Sequence, residues 1–253
     1  MAVKIKKPNE ISKIQKSGSI IAQVRDLLIK NIEPGISTWE LDRIAEEYTL
    51  SKGFKPAFKG YQNFPASICA SINDEVVHGL PSKNRILKDG DIIGIDFGVY
   101  DGEYYSDSAF TFGVGTISND VSKLLEVTKS SLEQGIKLAK PGNKIFDISK
   151  AIQECVESEG FSVVRSYVGH GIGKELHEEP HVPNFISSEK DRHTSLKLKE
   201  GMVLAIEPMV NIGDYEVELS SDSWTVKTKD GSLSAHFEHT VAITKDGPKV
   251  LTS

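Results

Sequence analysis

The sequence predicts an α+β fold built from two similar halves, each with two helices followed by strands. Residues 34–54 (PGISTWELDRIAEEYTLSKGF) match residues 141–161 (PGNKIFDISKAIQECVESEGF) at an offset of 107. Later in each half, residues 87–99 (LKDGDIIGIDFGV) match residues 198–210 (LKEGMVLAIEPMV) at an offset of 111. Because both kinds of segment recur in the same order, we expect internal pseudo-symmetry.

The matched 34–54 and 141–161 stretches have the periodicity of amphipathic helices. Ser37 and Glu40 have the spacing of a capping box at the start of the first. Gly53 and Gly160 stand where each helix should end. The segment before each is also amphipathic, with apolar residues at Ile11, Ile14, Ile21 and Leu28 and at Val121, Leu124, Leu125 and Leu132.

The length and the repeat together indicate the domain organisation. The chain has 253 residues and no low-complexity linker. This length suits one large domain or two small ones. We expect a single domain over residues 1–253, with pseudo-symmetric halves at roughly 1–115 and 116–253.

Composition narrows the class of protein. The net charge of −6 and pI of about 5.7 argue against a broad nucleic-acid-binding surface. The chain has two cysteines, which suits a reducing compartment. We find no signal-peptide core and no apolar run of about 18 residues. A cytoplasmic protein without a membrane span is therefore expected.

Two aspartates lie in apolar strands around a hairpin signal. In GIDFGVYDGEYYSDSAF (94–110), Asp101-Gly102 predicts a two-residue type I′ turn. That register would place Asp96 directly opposite Asp107, with Cβ atoms about 4.5–5.5 Å apart. Two carboxylates at this separation repel, so either one of them holds a proton or a cation lies between them.

Other acids and one histidine favour the cation. Asp96 matches Glu207 in the repeat, and Glu238 lies in the predicted last strand, residues 235–244. His170 stands among three glycines. Four buried carboxylates without a metal would be prohibitively costly. Together with one imidazole they suit two divalent first-row ions, Mn, Fe or Co, which activate water for hydrolysis.

The chain resembles the type I methionine aminopeptidases over nearly its whole length. The matching stretches are NDEVVHGLP (73–81), GDIIGIDFGVYDGEYYSDSAFTF (90–112), GHGIGKELHEEP (169–180), AIEPMV (205–210) and SWTVKTKDGSLSAHFEHTVAIT (223–244). The resemblance implies the pita-bread fold, with the two halves around a central antiparallel sheet. It also implies removal of the initiator methionine from nascent proteins that have a small second residue.

The resemblance implies roles for the polar residues. Asp96, which chelates, and the bridging residues Asp107 and Glu238 would hold one ion. Asp107, His170, Glu207 and Glu238 would hold the other. Glu207 would also assist proton transfer. The remaining implied roles are His177 as the ligand of the scissile carbonyl oxygen and His78 as the contact of the next peptide nitrogen.

The resemblance also implies a methionine pocket, a cation and partners. The pocket would be formed by Phe58, Tyr61, Phe64, Cys69, Leu176 and Trp224. Asn73 and Ser234 match positions that hold a structural monovalent cation in some relatives. The implied partners are the N-termini of nascent polypeptides, with transient ribosome association, no membrane and no nucleic-acid substrate. We expect a monomer.

Four other functions fit the sequence less well. HEEPH (177–181) matches the zincin motif, but that motif requires a helix, which Pro180 would break. GHGIG lacks the lysine of a phosphate loop. Proline-specific peptidases of the same fold usually carry an additional N-terminal domain, for which this chain has no room. A non-catalytic protein or RNA partner of this fold would be expected to have lost ligands, and all five are present.

Overall fold

A computed structural model of the chain describes residues 3–186 and 196–253. The helices in this part of the chain are α1 (Pro8–Ile29), α2 (Thr38–Ser51), α3 (Asn119–Leu138) and α4 (Ile145–Glu157). The strands are β1 (Lys55–Pro56), β2 (Cys69–Ile72), β3 (Glu75–Val77), β4 (Ile92–Tyr100), β5 (Tyr105–Gly113), β6 (Ser162–Val163), β7 (Gly169–Gly171), β8 (Glu178–Val182), β9 (Val203–Ile206), β10 (Met209–Asn211), β11 (Val217–Leu219), β12 (Val226–Thr228), β13 (Ser234–His236), β14 (His239–Thr244) and β15 (Gly247–Val250). Within the described residues, no helix is both long and apolar enough to cross a membrane.

Each half of the molecule contains one main antiparallel sheet. The first contains β1, β4 and β2 in that order, with β5 also paired to β4. The second has the order β15-β14-β9-β7-β8. Helices α1 and α2 pack on the first sheet through one apolar cluster, and α3 and α4 pack on the second through another. The expected α+β architecture of helix pairs on antiparallel sheets is confirmed.

The pseudo-symmetry extends to individual hydrogen bonds. In the first half, Gly35 N donates to Leu87 O at 2.8 Å, and in the second half Gly142 N donates to Leu198 O at 3.0 Å. These four residues occupy matching positions of the sequence repeat. Each bond joins the start of a helix to the segment before a strand, β4 in the first half and β9 in the second. The repeated sequence therefore specifies the same attachment of helix to sheet twice.

The expected helix ends are present in the first half. Ser37 Oγ accepts a hydrogen bond from Glu40 N at 3.2 Å, and the Glu40 carboxylate accepts from Ser37 N at 3.1 Å. This is the reciprocal capping box. Gly53 follows the end of α2 with φ +78°, a conformation that glycine adopts without steric cost.

The predicted register of the β4–β5 hairpin is wrong by two residues. Asp96 pairs with Ala109, and Asp107 pairs with Gly98. The tip of the turn is Gly102 and Glu103, because Asp101 N donates to Tyr104 O and the Asp101 carboxylate accepts from both Glu103 N and Tyr104 N. Since side chains alternate with period two, Asp96 and Asp107 remain on one face but are diagonal neighbours.

The strand predicted over residues 235–244 is interrupted. It consists of β13 and β14, which belong to different sheets, with Phe237 and Glu238 between them. The neighbouring chain segment breaks at the matching place, since Glu207 and Pro208 separate β9 from β10. Proline lacks the N–H that a ladder needs, which explains the second break. Both acids thus lie where strands leave one sheet for another.

Hydrogen bonds between β5 and the β13–β14 segment join the two halves. Thr240 Oγ1 accepts from Asp107 N at 3.0 Å and donates to Asp107 O at 2.7 Å. Next to it, Ser108 Oγ donates to Glu238 O at 2.6 Å, and Glu238 N donates to Ala109 O at 2.8 Å. These hydrogen bonds of residues 107–109 with Glu238 and Thr240 form the seam between the halves. The seam therefore holds two of the buried acids, Asp107 and Glu238.

Replacing Thr240 with valine tests the importance of this seam for stability. Thr240→Val keeps the shape of the side chain but leaves a buried N–H and a buried C=O of Asp107 without their partner. We expect the free energy of unfolding to fall by about 1–3 kcal/mol, measured by urea denaturation. Thr244→Val is the control, because the Thr244 hydroxyl closes a local turn at Gly247 O. Equal stabilities of the two variants would contradict the role of the seam.

Candidate metal centre

The seam brings two carboxylates and one imidazole together. Asp107, His170 and Glu238 each offer one ligand atom, and these atoms all lie within 4.8 Å of one another. Asp107 comes from β5, His170 from β7, and Glu238 from the break between β13 and β14. All three side chains are buried. This spacing suits ligation of a common cation.

The other two predicted ligands adjoin this cluster. Glu207 Oε1 lies 3.5 Å from His170 Nε2. Asp96 lies on the same face of the first sheet as Asp107. Both Asp96 and Glu207 are half-buried and line the same cavity. All five residues predicted as ligands are therefore brought together.

The arrangement fits divalent ions. Asp96 Oδ1, Asp107 Oδ1 and Glu238 Oε1 are buried and have no hydrogen-bond partner among the described residues. Buried oxygens without partners are costly unless they coordinate a cation. Oxygen-rich ligation with one imidazole is typical of Mn, Fe or Co sites.

His170 is oriented for coordination through Nε2. Its Nδ1 lies 2.9 Å from Gly171 O and donates to that carbonyl. The proton on Nδ1 leaves the lone pair of Nε2 free, on the side of Glu207. A backbone partner on the second ring nitrogen is the usual way in which proteins set the tautomer of a metal-binding histidine.

Burial and mutual repulsion determine the protonation of the acids. Burial raises the pKa of Asp96 from 3.8 to about 7. Burial and the neighbouring carboxylates raise the pKa of Asp107, Glu207 and Glu238 well above their ordinary values. Burial lowers the pKa of His170 from 6.5 to about 3. A bound cation would reverse the effect on the acids, because it favours the ionised carboxylate.

A cavity of about 440 Å³ opens over the acids. All six residues predicted for the methionine pocket line it. Phe64 contacts Trp224 edge-on, with ring centroids 5.1 Å apart, and Phe58 lies edge-on to Phe64 at 6.5 Å. The cavity therefore has an aromatic wall beside an acidic floor.

The two histidines with predicted substrate roles also line the cavity. The His177 ring lies 4.3 Å from the His170 ring, and its Nδ1 is 2.9 Å from the Tyr61 hydroxyl. His78 has φ +59°, a left-handed conformation that costs energy for a non-glycine residue and is concentrated at functional sites.

Sequence reasoning missed two side chains of the site. Tyr167 lines the cavity and packs edge-on against His78, with ring centroids 5.6 Å apart. His236 is buried, and its Nε2 lies 3.8 Å from Glu207 Oε2. Period two along a strand would have placed His236 on the side of Glu238. No local pattern singles out Tyr167.

The predicted cation residues are adjacent. Ser234 N donates to Asn73 O at 2.9 Å, and Ser234 Oγ is buried without a partner among the described residues. The Asn73 side-chain oxygen already accepts from Ile92 N at 3.0 Å. An amide oxygen has a second lone pair that could face a cation, and the site stays a prediction.

The zincin interpretation fails in the structure. Residues Glu178–Val182 form strand β8, and His177 lies just before it. The motif requires a helix, on which the two histidines share one face. His177 and His181 therefore lack the arrangement of a zincin site.

Comparison with known proteins agrees with this geometry. The sequence profile of Metallopeptidase family M24 matches residues 12–245. The chain belongs to metallopeptidase family M24. Membership of this family implies divalent metal ions at the acidic site, in agreement with the cluster of Asp107, His170 and Glu238.

The similarity to individual proteins extends over at least 98% of the chain. Methionine aminopeptidase 1 of Bacillus subtilis is 53% identical over 247 residues, which are 98% of each chain. The crystal structure of methionine aminopeptidase from Thermotoga maritima superposes with a TM-score of 0.96 at 44% identity, over 100% of both chains. The prolidase from Pyrococcus furiosus superposes with a TM-score of 0.78 at 25% identity, and the match covers 65% of that chain.

The raised carboxylate pKa values predict how pH affects the metal-free M24 centre. A raised pKa in the folded state contributes stability below the ordinary pKa, and this stability is lost as pH rises through the raised value. The lowered histidine pKa values oppose this effect below pH 6.5, where unfolded histidine is protonated. From about pH 7.5, one unit above the ordinary histidine pKa, those histidines are neutral in both states, so the carboxylates determine how stability changes with pH.

We therefore expect the free energy of unfolding of chelator-stripped protein to fall as pH rises above about 7.5, by up to about 1.4 kcal/mol per pH unit for each proton retained on folding. Urea denaturation at several pH values measures it. Saturating Mn(II) should abolish the decline, because metal-bound carboxylates are already ionised. The same slope with and without Mn(II) would contradict protonation of the metal centre.

Proposed function

We propose that the chain is a dinuclear metal-dependent aminopeptidase that removes the N-terminal methionine from nascent proteins with a small second residue. The observation that carries the proposal is the acidic cluster at the floor of an aromatic-walled cavity. The full-length similarity to named methionine aminopeptidases supports the choice of methionine.

Two divalent ions, Mn, Fe or Co, would occupy the acidic floor. Asp96, Asp107 and Glu238 would hold one of them, and Asp107, His170, Glu207 and Glu238 the other. When bound, such ions lower the pKa of water and polarise a carbonyl. The unpartnered oxygens of Asp96, Asp107 and Glu238 support this donor set.

The chain's own polar groups would handle protons and charge. Glu207 opens onto the cavity and would accept the proton of the attacking water and pass it to the leaving amine. His177 Nδ1 lies 2.9 Å from the Tyr61 hydroxyl, and in the tautomer in which Tyr61 donates, the proton of His177 is on Nε2. That N–H would donate to the carbonyl oxygen of residue 1 as it gains negative charge. His78 would contact the next peptide nitrogen.

The apolar part of the cavity would bind the methionine side chain. Tyr61, Phe64 and Trp224 form its aromatic wall, and Phe58, Cys69 and Leu176 complete the lining. Cys69 pairs directly with Asp96 across β2 and β4. A methionine side chain bound here would therefore lie beside the proposed metal ligands. The backbone carbonyl of that methionine would then lie close to the proposed metal site.

The remaining proposals concern the setting of the reaction. We propose one catalytic domain over residues 1–253, with halves 1–115 and 116–253, because hydrogen bonds of Asp107 and Glu238 join the halves. We further propose a cytoplasmic monomer that associates transiently with the ribosome, where nascent N-termini emerge. Asn73 and Ser234 are proposed to hold a structural monovalent cation.

Methionine release tests the function directly. Chelator-stripped protein is assayed on Met-Gly-Met before and after addition of Mn(II), Co(II) or Fe(II), and we expect the metal to restore release of the first methionine. Asp107→Asn is the control and should lose both metal binding and activity by orders of magnitude. Folded protein that releases no methionine with any of these metals would overturn the proposal in favour of another specificity or a binding protein.

His177→Ala tests the assignment of the oxyanion donor. His177 is not a proposed ligand, so the variant should bind metal normally. Loss of one donor to the developing negative charge should lower kcat by about 10²–10³-fold. Steady-state kinetics and metal titration by calorimetry measure the two effects. An unchanged kcat would show that His177 does not stabilise the transition state.

A further inference from the structure

A buried ion pair joins the start of the chain to the strand that follows His177. Lys6 Nζ lies 2.7 Å from Glu178 Oε2, and the two side chains are only 5% and 1% exposed. Neither residue belongs to the proposed ligand set or to the proposed methionine pocket. Burial of two charges is expensive even when they are paired, so a buried ion pair is weak evidence for stability alone. The pair therefore calls for another explanation.

The Lys6 end of the pair is anchored by the backbone. Lys6 N donates to Gly201 O at 2.7 Å, directly before β9. Lys6 Nζ also donates to Lys4 O at 3.3 Å. The lysine is thus fixed to the second half of the molecule before helix α1 begins at Pro8.

The Glu178 end organises the loop that carries His177. Its Oε1 accepts from Glu175 N at 3.3 Å and from Lys4 Nζ at 3.3 Å, while Oε2 binds Lys6. Glu178 also pairs with Gly171 in the β7–β8 ladder, next to His170. The loop that contains His177 is therefore tied, through Glu175 N, to the carboxylate of the residue that directly follows His177.

Gly173 is explained by the same ion pair. A Cβ atom on this residue would lie 2.6 Å from Lys6 Cε and 3.0 Å from Glu178 Oε1. These distances are shorter than van der Waals contact, so a side chain at residue 173 would displace the lysine. The third glycine of GHGIG thus makes room for Lys6 rather than for the proposed substrate.

We propose that Lys6 is a positioning residue that acts through Glu178 to hold His177 in its place against His170 and Tyr61. This inference rests on the proposed aminopeptidase function, in which His177 donates to the carbonyl oxygen. The observed contacts are the 2.9 Å approach of His177 Nδ1 to the Tyr61 hydroxyl and the 4.3 Å separation of the two histidine rings. A small displacement of a catalytic group lowers the rate far more than the affinity.

Lys6→Met tests this role in the metal-loaded enzyme. We expect kcat to fall on the order of 10- to 100-fold, with KM and metal affinity nearly unchanged. Lys13→Met is the matched control, because it removes an exposed lysine paired with Glu103 at the hairpin tip. That control should retain the kcat of the unmodified chain. A Lys6→Met enzyme with normal kcat would overturn the proposal.

A double variant separates positioning from stability. Lys6→Met leaves Glu178 buried without its main partner, which should lower the melting temperature. The combination Lys6→Met with Glu178→Gln removes both charges and should recover much of the melting temperature. We expect kcat to stay low in the double variant, because the loop is no longer tied to Lys6. Recovery of kcat together with the melting temperature would mean that the pair is merely structural.

A spectroscopic measurement tests whether Lys6 positions His177 and does not depend on an activity assay. Histidine side-chain ¹⁵N–¹H spectra of metal-free protein are recorded, with His177 assigned by loss of its signal in His177→Gln. Lys6→Met should move the His177 signal, whereas His239, held by Thr252 at 2.8 Å, should not move. An unmoved His177 signal would overturn the proposal. If the unmodified enzyme released no methionine, the proposed function would fail, and this measurement would still test the positioning.

Discussion

The mutual repulsion of four carboxylates at the seam between the two halves is the constraint on which the site depends. Two like charges about 4 Å apart repel by about 4 kcal/mol at an effective dielectric constant of 20. The chain nevertheless holds Asp107 and Glu238 in the seam by backbone hydrogen bonds across it. The acids cannot move apart without breaking the contact between the halves, so their charge must be neutralised by protons or by metal ions.

The sequence repeat accounts for one pair of acids, Asp96 and Glu207, but the two residues do not have equivalent surroundings. Asp96 and Glu207 match in the repeat, yet Asp96 lies within the long strand β4, whereas Glu207 stands at a strand break before Pro208. The longer side chain at the break lies 3.5 Å from His170. A duplicated scaffold thus builds an asymmetric centre, in which one side carries the His170 imidazole with the His177 ring beside it.

The surroundings of the centre connect distant parts of the sequence. The aromatic wall comes from residues 58–64 of the first half and from Trp224 of the second. The segment with Lys6 lies against the loop that ends at His177. The cavity is therefore formed by segments from both halves of the molecule. Rigid positioning of this kind is what a metal-dependent hydrolase needs, since the reacting groups must be held at fixed distances.

The sequence by itself determined the residue types of the centre, the helix-helix-strand repeat and the capping box at Ser37. The helices and the capping box are local patterns, and the repeated segments match at offsets of 107 and 111, so periodicity and matching reveal them. The hairpin register also has a local cause that the two-residue turn rule misses, because the Asp101 carboxylate accepts from two nearby backbone N–H groups and moves the turn tip to Gly102 and Glu103. The tertiary structure alone decided how Asp107, His170 and Glu238 meet, because they come from β5, β7 and the break between β13 and β14. It also decided the partners of Lys6 and the packing of Tyr167 on His78, since each joins residues far apart in the chain, and no local pattern encodes such contacts.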